Sequence, residues 1–157
     1  MKLRYLLPLV ALLFVAAAKK QPGFSVRFHT ETNPQDTDQF SLAVQMENPP
    51  RTVHISKIPA INERDVAAIY PFKADDNTMG CAFKLDEHGT LALDTLSVEK
   101  HGNYLFCYIN GRMVSSLLID KRVSDGIITI SRGLAAQEIA MLQKHFRTLK
   151  STGATKQ

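Results

Sequence analysis

Asn110-Gly111 separates two apolar runs, Tyr104-Leu105-Phe106-Cys107-Tyr108-Ile109 and Met113 to Ile119. A two-residue connection with positive φ at both positions is the type I′ turn, and Asn-Gly adopts it at little steric cost. The two runs are therefore expected as antiparallel neighbours. That pairing sets the face of each side chain: Leu105, Cys107 and Ile109 share one side, Phe106 and Tyr108 the other. At least one of these faces has to be buried.

Turn residues and apolar patterns extend this reading in both directions. After Asp125-Gly126, Ile127–Ser131 reads as a last strand. Ala135, Ile139, Leu142, Phe146 and Leu149 then recur at helical spacing and predict an amphipathic final helix. Ala135 stands at its N-cap, with Glu138 in the reciprocal position of a capping box. Upstream, Ser25–Thr32, Phe40–Val44, Val53–Ile58 and Cys81–Leu85 read as strands, with a turn over Asn33–Asp38 and a Pro49-Pro50 joint. The first two of these form an N-terminal pair that packs on, or completes, the main sheet. Asn62 as N-cap, Asp65 opposite it and Pro71 as a stop predict a short helix from Asn62 to about Tyr70. Gly89–Gly102 carries both strand-like and helical patterns; a helix capped by Gly102 is expected. The sum is an α+β domain, a mostly antiparallel sheet with helices on one face and a ferredoxin-like core.

The chain begins with a stretch of different character. Lys2 and Arg4 precede the apolar run Leu6–Val15, and Ala16-Ala17-Ala18 resembles a cleavage site, so residues 1–18 read as a secretory signal. The alternative is an uncleaved N-terminal anchor, although Tyr5–Ala18 is short of the roughly 20 residues of a spanning helix. No cysteine follows to carry a lipid, and no later segment is expected to span a membrane. Residues 19–51 then form a lead and strand pair, 52–150 the α+β domain, and 151–157 a polar tail. Without Lys2 and Arg4, 17 of the 19 basic residues remain against 15 acidic ones. So slight an excess argues against a nucleic-acid partner.

Catalytic signatures are sparse. Ser97-Val98-Glu99-Lys100 matches S-x-x-K, in which a lysine one helical turn on could activate a serine, but its companion motifs are absent. Asp86, Glu87 and Asp94 offer a carboxylate pair or, more simply, solvated turn and helix surface. Asp75-Asp76-Asn77 reads as a turn, and His88 and His101 as exposed loop or capping residues. His29 and His54 would hold a metal only if their strands pair. No motif calls for a cofactor. Cys81 and Cys107 are either two small buried apolar residues or a disulfide.

Several of these positions resemble the first periplasmic head subdomain of SecD, a membrane-embedded subunit that assists protein export. The resemblance covers about Val53–Leu149. Ile58-Pro59-Ala60-Ile61-Asn62 with Asp65-Val66 look like its entry strand and first helix, and Gly89, Leu93, Ser97 and Gly102 fall at its Gly, Phe, Thr and Gly positions. Asn110-Gly111 stands at its Asp-Gly turn, and Ile130 and Glu138 fit its last strand and helix. Leu117, Arg132 and Ala135 depart from its usual proline, glycine and Ser/Thr. The resemblance implies a fold and an envelope setting, and no reaction.

The function expected from these readings is non-catalytic: a secreted or periplasmic interaction domain that binds exported or envelope polypeptides transiently. If the Phe106–Tyr108 face is uncovered, it offers an apolar surface for an extended peptide; otherwise helices and the N-terminal strand pair cover it. The alternatives are an adaptor subunit of an envelope complex and, more remotely, a hydrolase using Ser97 and Lys100.

Overall fold

The computed structural model describes residues 23–33, 39–47 and 49–150. The leader, the polar tail and most of the Asn33–Asp38 turn lie outside them. The order is β1 (Val26–Thr30), β2 (Ser41–Glu47), β3 (Pro50–Ser56), β4 (Ile61–Asn62), a 3-10 turn (Glu63–Asp65), β5 (Val66–Lys73), β6 (Met79–Leu85), α1 (Glu87–Glu99), β7 (Tyr104–Ile109), β8 (Arg112–Leu118), β9 (Ile127–Leu134), α2 (Ala136–His145) and β10 (Arg147–Thr148). This is the expected α+β class with mostly antiparallel pairing, but the strands divide into two four-stranded sheets and a hairpin. One sheet runs β4-β1-β7-β8, the other β10-β5-β6-β9, and β2-β3 stands apart.

The Asn-Gly turn forms as its chemistry demands, with φ of 49° at Asn110 and 82° at Gly111. It joins β7 to β8 in antiparallel register. The core packs residues of both sheets: Val26 and Phe28 of β1, Leu105, Cys107 and Ile109 of β7, Cys81 and Phe83 of β6, and Ile128 and Ile130 of β9. Phe28 and Phe83 meet edge to face, with ring centroids 5.6 Å apart. Leu93 and Leu96 of α1 and Ile139 and Leu142 of α2 pack into this core.

Three local expectations change. Residues 62–70 are not a helix. The Asn62–Asp65 capping box forms, with Asn62 N–H donating to Asp65 Oδ2 at 2.9 Å, but it encloses a single 3-10 turn. From Val66 the chain is a strand paired with β6, and it passes through Pro71. That proline lies beyond the part of β5 paired with β10, where a missing N–H costs no ladder bond. The final helix stops at His145, and Arg147–Thr148 pairs in parallel with Ala68–Ile69. Lastly, Phe40–Val44 is not the hairpin partner of Ser25–Thr32. β2 pairs with β3 across the expected proline joint, while β1 enters the first sheet between β4 and β7.

Helix α1 starts two residues earlier than Gly89, on Asp86, whose Oδ1 accepts the Gly89 N–H at 2.8 Å. A Cβ at Gly89 would come within 2.9 Å of Asp65 Cβ and 3.0 Å of its carbonyl oxygen. Glycine therefore lets the first turn of α1 approach the 3-10 turn closely.

Candidate functional site

The β2–β3 hairpin decides what the Phe106–Tyr108 face can do. It crosses the outer face of the first sheet, tied by a bridge from Glu31 to Ile55 and by Thr32 N–H donating to the His54 carbonyl at 2.8 Å. Met46, Val53 and Ile55 close over Phe106, which is fully buried. Phe106 is thus a core residue, and a peptide-binding face built on it is corrected: the covered alternative holds there. Each such side chain taken from water stabilises the seat of the hairpin by about 1.5–3 kcal/mol.

Tyr108 has a different setting. It is half-buried at the mouth of a cleft of about 240 Å³ between the hairpin and the sheet, lined by Arg27, His29, Leu42, Ile55 and Lys57 among others. His29 meets the Tyr108 ring edge-on at 5.4 Å, and its Nδ1 lies 2.8 Å from the Ser56 carbonyl oxygen. A carbonyl only accepts, so Nδ1 carries the proton in the neutral ring. Burial holds the His29 pKa below its ordinary value, against the Ser56 bond and with the Arg27 charge. Burial also pushes the Tyr108 hydroxyl up.

Beside this cleft β2 presents an edge at Ala43 and Gln45. Among the described residues its only partner strand is β3. Lys57 N–H donates to Phe40 O at 2.9 Å, which makes 40 and 57 a hydrogen-bonded pair. By the alternation of an antiparallel ladder, Leu42, Val44 and Met46 bond inward to β3, and Ala43 and Gln45 turn their backbone groups outward. On or next to β2 the apolar side chains of Phe40 (59%) and Leu42 (51%) are exposed, and so is Ile58 (71%), two residues past β3.

The remaining candidates are spoken for by structure. Ser97 is 1% exposed; its hydroxyl donates to the Asp94 carbonyl at 2.8 Å and accepts the Val123 N–H at 2.9 Å. It pins α1 to the chain after β8, and no bond joins it to Lys100, which lines a different depression. The hydrolase reading of this pair is thereby removed. Asp94 binds Arg122 through both carboxylate oxygens, at 2.5 and 2.7 Å, and this lowers its pKa. Asp86 caps α1, and Asp76 caps its own turn by accepting from Thr78.

Cys81 and Cys107 are free, fully buried thiols in the common core. Burial pushes Cys81 up to about 12 and Cys107 higher still, so neither is a thiolate at neutral pH. His54 Nδ1 is buried without a partner, while His29 engages Ser56. Neither belongs to the one group of three or more potential metal ligands among the described residues, Asp65, Asp86 and His88. Asp65 was not among the sequence candidates; only its place in the capping box marked it. Its carboxylate already accepts from Asn62 N–H and contacts His88 Nδ1 at 2.9 Å. The positive end of α1 at Asp86 further favours carboxylates there and opposes a cation.

No protein-family model matches the chain, and no curated relative does. Among solved structures it is similar to a membrane component SecDF that enhances protein export, with TM-score 0.54 and 13% identity over 78% of this chain and 63% of that one. It is also similar to SecDF in a super-membrane-facing form, with TM-score 0.54 and 14% identity over 78% of this chain and 19% of the other. At such identity the likeness is one of fold: the chain has a SecD-like fold. It spans less than two thirds of either structure.

Proposed function

We propose that this protein is a non-catalytic interaction domain of the bacterial envelope that takes up an extended polypeptide by strand addition to β2. The observation that carries the reading is the outer edge of β2, which has no partner strand among the described residues, with Ala43 and Gln45 turned outward next to exposed Leu42. An incoming strand would bond to that edge through its main chain, which is indifferent to sequence. One apolar side chain would enter the cleft between Leu42 and Tyr108. Main-chain recognition with a single small pocket suits weak, general binding, with a dissociation constant in the micromolar range or above. A domain of similar fold in a component that enhances protein export is compatible with such handling of a client. The leader Met1–Ala18, read as a secretory signal cleaved near Ala18, would bring the chain to the periplasm or outside the cell.

The test is fluorescence anisotropy with labelled apolar peptides. Ala43→Pro removes an outward N–H without touching a β2–β3 bond, and Leu42→Lys places a charge at the cleft. Each should weaken binding at least tenfold while leaving the circular dichroism unchanged. Equal binding by both variants, or equal affinity for a peptide locked as a helix, would reject strand addition.

A further inference from the structure

The cleft beside β2 joins apolar walls to a polar mouth. Leu42 of β2, Ile55 of β3 and the ring of Tyr108 supply the apolar part. The charge comes from β1. Arg27 and Tyr108 stand directly opposite each other in the β1–β7 ladder, so their side chains leave the same face of the sheet as neighbours. That is the face over which the hairpin closes. Among the described residues no acidic side chain lines the cleft.

Two groups at the mouth are left to act on something else. Arg27 is exposed and joins no ion pair among the described residues. Tyr108 is half-buried, and burial alone displaces its hydroxyl, with no hydrogen bond to set against that burial. Lys57 also lines the cleft but has a partner of its own. His29 adds no donor, because its Nδ1 is held by the Ser56 carbonyl and the neutral ring keeps only the Nε2 lone pair. The unengaged donors are thus a guanidinium and a phenol, side by side at the edge of an apolar wall.

We propose that the strand received by β2 is selected for a carboxylate side chain, Asp or Glu, placed two residues from the apolar side chain that fills the cleft; this rests on strand addition to β2. Arg27 and Tyr108 O–H both donate to that carboxylate, and hydrogen bonds to an ionised acceptor are about twice as strong as neutral ones. Apolar walls on one side reduce the screening that an exposed arginine alone would suffer. The spacing follows from strand geometry: side chains on one face recur every second residue, about 6.6 Å apart. A lysine at that position meets Arg27 instead and is disfavoured. The main chain thus gives general binding, and the mouth of the cleft adds a preference for acidic segments.

Anisotropy with three extended peptides, each blocked at both ends, tests this. One carries Glu two residues to either side of a central leucine, the second Gln at the same places, and the third Glu one residue to either side, on the opposite face. The first should bind more than fivefold tighter than the other two. Arg27→Gln should bring all three to the affinity of the Gln peptide, and Tyr108→Phe should halve the preference, each with unchanged circular dichroism. Lys121→Gln, elsewhere on the surface, should alter nothing. Equal affinity for all three peptides, still lost in Ala43→Pro, would overturn the selection for acid and leave strand addition standing. Equal gains from glutamate on either face, or a preference that survives Arg27→Gln, would also overturn it, as general attraction to a basic protein. Binding of none of the peptides would overturn both readings.

Discussion

Arg112 Nη2 lies 2.6 Å from each carboxylate oxygen of Glu138, joining the start of β8 to the first turn of α2. The two partners are unequally placed: the Arg112 side chain is 55% exposed and that of Glu138 only 10%. Removing either should therefore have unequal effects. Glu138→Ala frees a guanidinium that water can solvate, and should cost about 1–2 kcal/mol. Arg112→Ala strands a buried carboxylate and should cost about 3 kcal/mol. Urea midpoints at constant m-value measure both; equal losses would mean that Glu138 is hydrated in solution.

Ala135→Ser tests the cap of α2. Ala135 N–H already donates to Glu138 Oε2 at 2.8 Å, but alanine returns no side-chain oxygen to the Glu138 N–H. Serine would complete the box and should stabilise the protein by about 1 kcal/mol. An unchanged midpoint would place the helix start elsewhere.

His29 makes stability depend on pH. Its folded pKa lies below the ordinary 6.5, so the unfolded chain takes up its proton first as pH falls. The contribution of the neutral ring is full above about pH 6.5 and is lost as pH drops through that value towards the folded pKa. His29→Asn keeps a donor for the Ser56 carbonyl and does not titrate. Its urea midpoint should fall less than that of wild type between pH 7 and pH 5, and parallel slopes would refute the assignment.

Phe106→Ala should unseat the hairpin. The side chain is fully buried against Met46, Val53 and Ile55, and its loss should cost about 3–4 kcal/mol. Amide exchange should rise first in β2 and β3, which this cluster and the link to β1 hold against the first sheet. Uniform protection across the sheets would show that the hairpin is held some other way.

Short-range chemistry made much of the fold legible. Asn110-Gly111, the alternation along β7 and the final helix each follow from signals confined to a few neighbouring residues. The segment from Asn62 failed for an instructive reason. Its capping box is real, but a cap only opens a helix, and Val66–Lys73 gains more by pairing with Met79–Leu85. The same competition ends α2 at His145, because the open edge of β5 accepts Arg147–Thr148. For the site, parity placed Phe106 and Tyr108 together but could not say what lay over them. The hairpin that covers one and leaves a cleft at the other is anchored by partners distant in sequence, Thr32 with His54 and Glu31 with Ile55.

The position of β1 between β4 and β7 has a kinetic consequence. Ser25 and Asn110, 85 residues apart, are hydrogen-bonded, and the whole of β1 pairs with a strand made much later in synthesis. Closing so long a loop is entropically costly, and sheets that depend on it form slowly. Among the described residues β1 finds only the two-residue β4 as a partner strand before β7 is made, so its place in the sheet is completed late. A chain that pairs β1 so late leaves its first sheet open for most of its synthesis.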